Sequence, residues 1–185
     1  SPSGTALAGL GLFQSGPATS RLSTPAIFDV GASLAASDRR TFLASVSLTR
    51  WSDFEQITIA FDNPAQPDEV LTQDWRDSFA YSAGAEYELS QMTTLRAGVM
   101  FDESPGNDAF ASPRITAAEH LWFSAGATQK LFGNWSVDGA VAVIYFDEFS
   151  YDIPGTLPET QVRGALEATG DATAYILSAR LRRNF

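Results

Sequence analysis

The chain has 185 residues, 44% of them hydrophobic, 12% aromatic and only 18% charged, with a net charge of -10. That acidity argues against nucleic-acid binding, which needs a basic surface to displace counterions from phosphates. The absence of cysteine removes disulfide scaffolds, thiolate metal sites and thiol catalysis together. The length fits one domain or a piece of one, and no stretch approaches the roughly 18 consecutive apolar residues of a membrane helix.

Residues 1–25 are rich in Gly, Ser, Thr, Pro and Ala. They lack a positively charged start and an initial Met, so they are not a secretory signal. Either a signal was cleaved or the chain has lost its beginning. Thr5 to Phe13 could form a weak strand, but Gly9 and Gly11 count against it. The stretch is expected to be a poorly ordered lead-in or the remnant of an earlier strand, with residues 26–185 forming the body.

From Ile27 to Ala36 apolar residues fall at every second position: Phe28, Val30, Ala32, Leu34 and Ala36, against Asp29, Gly31 and Ser33. Period two is the signature of a strand with one greasy and one wet face. A turn at Ser37 to Arg40 leads into a second strand, with Phe42, Ala44, Val46 and Leu48 on its greasy face. That strand is expected to pass through Trp51 and Phe54 and to run on as far as Phe61. Asn63 to Thr72, with Pro64 and Pro67, reads as a loop.

The clearest pair follows. Phe79, Tyr81, Ala83, Ala85, Tyr87 and Leu89 alternate with polar or small residues, and after Ser90 to Met92 the pattern restarts at Leu95, Ala97, Val99 and Phe101. Each run is close to the roughly 9–11 residues that a tilted strand needs to cross a bilayer. Rings at Phe79, Tyr87 and Phe101 lie where a membrane-water boundary would fall. After a long loop from Ser104 to about Glu119, His120 to Leu131 and Trp135 to Tyr145 alternate again around the Gly133-Asn134 turn. A polar stretch from Asp147 to Asp171 follows, part of which, Gln161 to Ala168, is expected to be extended above the barrel. A last strand then runs from Thr173 to Phe185.

Seven clear strands result, and their connections are alternately short and long. That alternation is the pattern of an antiparallel up-and-down transmembrane β-barrel with short periplasmic turns and long outer loops. The reading places the long loops outside an outer membrane and the C-terminus in the periplasm.

Several stretches resemble the outer-membrane long-chain fatty acid transporters of the FadL type, a family that includes hydrocarbon importers. They are Thr49-Arg50-Trp51-Ser52-Asp53-Phe54, Trp75-Arg76-Asp77, the run from Arg96-Ala97-Gly98 to Asp102-Glu103-Ser104-Pro105, Trp122-Phe123-Ser124-Ala125-Gly126, and Val137-Asp138-Gly139. The match covers roughly Ile27 to Phe185. Where the family shows a Pro-Asp and an Asp-Arg pair before the Trp122 strand, this chain has Thr116-Ala117 and Glu119-His120. No stretch of these residues resembles the N-terminal plug of the family, and Asn63-Pro64-Ala65 is not equated with its motif.

The resemblance implies passive uptake of long-chain fatty acids or other hydrophobic compounds across the outer membrane of a Gram-negative bacterium. It also implies no enzymatic activity, no cofactor, and a barrel of fourteen strands of which this chain is the C-terminal half. The partners implied are the lipid bilayer, hydrophobic small molecules, and the barrel-assembly machinery through the strand ending in Phe185. A small eight-stranded barrel closed by Thr5 to Phe13, with a structural or adhesive role and no transport, is the alternative; a soluble ligand-binding barrel is a third.

Single residues suggest little chemistry. His120, the only histidine, has no nucleophile and orienting acid that the sequence can place beside it. Asp102, Glu103, Asp147, Glu148 and Asp152 lack the spacing of a calcium loop and read as solvated surface. Arg96, Arg180 and Arg182 fall opposite the greasy face, with Glu86, Asp102, Lys130 and Asp138. They either pair across a polar lumen or meet a fatty carboxylate in transit. Trp51, Met100 and Trp122 are expected on the same inner face, as the apolar lining of a ligand path or as plain packing. No residue is expected to be catalytic or to bind a metal.

Overall fold

The computed structural model describes residues 15–106, 118–153, 155 and 164–183. Ten strands run through them: β1 (Ala18–Arg21), β2 (Ile27–Ser37), β3 (Arg40–Thr49), β4 (Gln56–Phe61), β5 (Glu69–Thr72), β6 (Ser78–Glu88), β7 (Thr93–Asp102), β8 (His120–Lys130), β9 (Trp135–Ile153) and β10 (Leu166–Arg183). Seven of them form one antiparallel sheet in the order β2-β3-β6-β7-β8-β9-β10, so neighbours in the sheet are also neighbours along the chain apart from the insertion between β3 and β6. These are the seven strands that alternation predicts.

Register turns seven separate alternations into one surface. Val30 pairs with Val46, Val46 with Tyr81 and Tyr81 with Phe101. A row lower, Ala83 pairs with Val99, Val99 with Phe123, Phe123 with Val143 and Val143 with Tyr175. A slip of one residue in any pair would send a whole greasy set to the other side; the two register shifts present, at Ala35/Ser37 and Gly170/Ala172, lie outside these rows. The apolar set is exposed, Val99 at 45%, Val141 at 47% and Leu177 at 83%, while Ser78, Thr128, Ser136 and Ile144 on the opposite, concave side are all under 9%. In water this arrangement would be inside out. It is the arrangement of a sheet that faces acyl chains outward and encloses a polar space.

Short turns close one end of the sheet. At Phe132 to Asn134 the chain reverses through Gly133 at φ +67°, a left-handed conformation that glycine adopts without steric penalty, and Leu131 N–H donates to the Trp135 carbonyl. The other end carries the long connections, and here the structure departs from expectation. β3 does not continue through Trp51 and Phe54. After Arg50 N–H donates to the Ala26 carbonyl, the chain folds into a 3-10 turn at Trp51–Asp53.

Beyond that turn, β4 leaves the main sheet and pairs with β1 on one side and β5 on the other, a separate three-stranded sheet. Part of the expected Asn63 to Thr72 loop is therefore a strand, and Ala18–Arg21 of the expected lead-in is one too. β9 and β10 also run past the predicted Tyr145 and Thr173 as a long hairpin from Ile153 to Leu166, with a bulge between Gly170 and Ala172. Beyond the bilayer a strand has no need of an apolar face, so Asp147 and Asp152 hide it from a search for alternation.

Among the described residues the outer edges of β2 and β10 pair with no further strand. Of the stretch expected to be extended, Gln161 to Ala168, the last three residues are strand in β10 and residues 161–163 lie outside the described residues, as do the expected strand at Thr5 to Phe13, the family positions Thr116-Ala117 and the terminal Phe185.

Candidate functional site

The concave face is built in rows, because residues in register across seven strands lie at one height. Moving away from the long-connection end, one row reads Gly31, Ser45, Ser82, Met100, Trp122 and Ile144, each paired with the next. The row below reads Ser33, Leu43, Gly84, Gly98, Ser124 and Ala142. No member of either row is charged. All but Ile144 and Ala142 line a trough of about 620 Å³ in which Met100 and Trp122 supply the large apolar surface and Gly84 and Gly98 the floor. Ser45 and Ser82 satisfy each other at 2.7 Å, and the Ser124 hydroxyl donates to the Gly98 carbonyl, so these three hydroxyls are internally bonded. The Trp122 indole N–H is buried and has no hydrogen-bond partner among the described residues.

Further toward the short turns the face becomes ionic. Arg96 Nε donates to Glu86 at 2.6 Å and its Nη1 to the Thr128 hydroxyl at 2.7 Å. Thr128 donates in turn to Asp138 Oδ1 at 2.7 Å, and Arg182 reaches both Asp138 oxygens at 2.9 and 3.1 Å. One chain of charge-assisted bonds thus ties β6, β7, β8, β9 and β10 together. Arg180 pairs with Asp138 in the register and, with Arg96, Thr128, Asp138 and Arg182, lines a second concavity of about 460 Å³. Thr128, which sequence reasoning did not single out, is the link between the two ion pairs; its only sequence signal is its place on the inner face.

At the opposite end His120 Nε2 lies 3.3 Å from Asp102 Oδ2, its Nδ1 is 2.9 Å from the Ala118 carbonyl, and its ring packs against Trp122 and Phe146. This is a held side chain. Among the described residues no group of three or more His, Cys, Asp or Glu is placed to hold a metal ion.

The six candidates therefore separate into three places. Met100 and Trp122 line the trough, and Arg96, Arg180 and Arg182 the ionic floor. Trp51 is not on the inner face of a strand. It stacks edge-on with Trp75 at 4.9 Å and near Phe54 at 6.1 Å in the turn above the sheet. The turn is held because Asp77 Oδ1 accepts from Ser52 N–H at 3.0 Å. Hydrogen bonds from the Ser52 hydroxyl first, and from its backbone N–H second, hold the Asp77 carboxyl below its ordinary pKa. Trp51 serves the packing of this connection, a role that alternation along the strand could not reveal.

A meander of seven strands with an exposed apolar outer face and a polar inner one defines the class: part of a transmembrane β-barrel. Comparisons make this specific. The family model described as outer membrane protein transport protein (OMPP1/FadL/TodX) matches residues 2–185, and the chain belongs to that family. An outer membrane protein of Neisseria meningitidis serogroup B is 29% identical over 154 residues, 80% of this chain and 33% of its own length. The long-chain fatty acid transport protein of Escherichia coli K12 is 29% identical over 104 residues, 55% of this chain and 22% of its own. The crystal structure of a Pseudomonas aeruginosa FadL homologue superposes with a TM-score of 0.79 at 24% identity, over 97% of this chain and 40% of that one. This chain thus spans a third or less of these two curated relatives and two fifths of the solved structure.

Proposed function

We propose that this chain forms one wall of a pathway for the passive uptake of long-chain fatty acids or similarly hydrophobic compounds across the outer membrane. The observation that carries the reading is the uncharged trough on an otherwise polar inner face. A water-filled pore for polar solutes has no use for Met100 and Trp122 side by side at mid-height, whereas a hydrophobic solute needs an apolar surface with few polar groups. Similarity to the long-chain fatty acid transport protein of Escherichia coli supports the substrate class. In this reading Met100 and Trp122 touch the solute, and the ionic floor marks the periplasmic end of its path. The long connections lie outside the cell, the Arg183 end of β10 lies on the periplasmic side, and β10 is presented to the barrel-assembly machinery. Nothing in the mechanism asks the chain to make or break a covalent bond.

The test is uptake. The full-length protein containing this chain, expressed in cells lacking their own transporter, is expected to raise oleate or toluene entry above vector controls, and Met100→Asp with Trp122→Asp is expected to abolish the gain. Entry equal to the vector control, with the barrel present in the outer membrane, contradicts the reading.

A further inference from the structure

The outer face of the main sheet is apolar almost throughout, in a chain whose net charge is -10. Where the alternation runs, the outward positions of its seven strands carry only two charges among the described residues, Arg40 and Arg183. Both are cations, and both stand at the end of the sheet that the short turns close. Arg40 opens β3, and Arg183 pairs with Trp135, which opens β9.

Each lies over an aromatic ring. The Arg40 guanidinium is 5.8 Å from the centre of Tyr87, its register partner, and that of Arg183 is 5.5 Å from the centre of Trp135. Tyr and Trp favour the level of the lipid head groups, where an outward arginine costs far less than at mid-bilayer. Among the described residues the Arg40 side chain makes no hydrogen bond or ion pair, so the ring leaves its N–H donors available. With Phe42, Ala85 and Tyr87 it walls an outward concavity of about 250 Å³. Glu86 also borders this concavity, but its carboxylate is taken by Arg96 on the inner face.

From this geometry we propose that Arg40, Phe42 and Tyr87 form a binding site, on the lipid-facing wall of the barrel, for the phosphate of an acidic glycerophospholipid in the leaflet at the short turns. The guanidinium fork takes two phosphate oxygens. Tyr87 holds the fork from its ring face, and the first acyl carbons lie on Phe42 and Ala85. A zwitterionic head group brings its own ammonium to a cationic surface, so a net negative one is preferred. The site rests on the outward face of the sheet and is independent of the solute that the barrel admits.

The test is native mass spectrometry of the full-length protein, released from detergent after equilibration with phosphatidylglycerol, with phosphatidylcholine of the same acyl chains, or with inorganic phosphate alone. The unaltered protein is expected to retain phosphatidylglycerol about fivefold better than phosphatidylcholine, the weight of one basic residue at a membrane surface. Arg40→Gln is expected to retain one phosphatidylglycerol fewer and the same phosphatidylcholine, while Arg40→Lys, which keeps the charge and loses the fork, falls between. Equal retention of the two lipids by the unaltered protein overturns the assignment and does not need a variant to fold. So does undiminished phosphatidylglycerol on Arg40→Gln, or a loss of equal size for both lipids, the mark of packing alone. Inorganic phosphate held as firmly as the lipid overturns it too, since the concavity would then take soluble anions.

Discussion

Gly84 and Gly98 face each other across β6 and β7, and their missing side chains keep space open beside Met100 and Trp122. A Cβ at Gly98 would come within 3.2 Å of the Ser124 hydroxyl and 3.4 Å of the Ala83 carbonyl. The hydroxyl can rotate away, but a longer side chain has nowhere to go except into the trough. Gly98→Leu is therefore expected to cut solute entry severalfold while Gly98→Ala costs little, with barrel levels in the outer membrane checked for both. Asp77 gives a second prediction at this scale. Its carboxyl is held below the ordinary value by Ser52, so its contribution to the turn is fully present above the unfolded value of about 3.9. That contribution is lost as pH falls through the lower, folded value. The fluorescence of Trp51 and Trp75 should report loosening of the turn only below about pH 4, and Asp77→Asn should show the loosened signal at neutral pH. A signal from Asp77→Asn matching the unaltered protein at pH 7 would contradict the role given to that carboxylate.

At the scale of elements, what could be read from the sequence was decided by solvent. β2, β3, β6, β7 and β8, with the inner parts of β9 and β10, must offer lipid an apolar side chain at every second position, and so their period survives in the sequence. β1, β4 and β5, like the outer ends of β9 and β10, stand clear of that requirement; Thr58 and Glu69 can alternate with anything. The 3-10 turn at Trp51–Asp53 escaped because its rings pack against Trp75, 24 positions along the chain, a contact no local window contains. The ionic floor was legible only in part. Alternation puts Arg96, Asp138, Arg180 and Arg182 on one face, but which arginine meets which acid depends on register across four strand pairs. The same reasoning yields a paired prediction. Val99→Arg, outward on β7, should destabilise the folded barrel by about 2–4 kcal/mol, the cost of a cation at the bilayer midplane. Ser82→Arg, inward on β6, should cost far less. Reversible urea unfolding of the full-length protein into lipid vesicles would measure both, and equal costs would count against the assigned faces.

On the scale of the whole molecule, the β2 and β10 edges each present a row of backbone donors and acceptors, and in hydrocarbon each unmet group costs several kcal/mol. Residues 15–183 alone are accordingly expected to associate edge to edge or to fail to insert, whereas the full-length protein should show the heat-sensitive gel mobility of a closed barrel. Monomeric insertion of the isolated segment would contradict this. The proposed uptake and the layered inner face both presuppose that one side of the sheet touches lipid and the other encloses solvent. Because the chain has no cysteine, thiols introduced one at a time from Leu95 to Phe101 report on that division directly. With the full-length protein in bilayers, an environment-sensitive probe at 95, 97, 99 and 101 should be quenched by brominated lipid and resist a water-soluble thiol reagent. At 96, 98 and 100 the pattern should reverse. A uniform response along β7, or an alternation of opposite phase, would contradict the account.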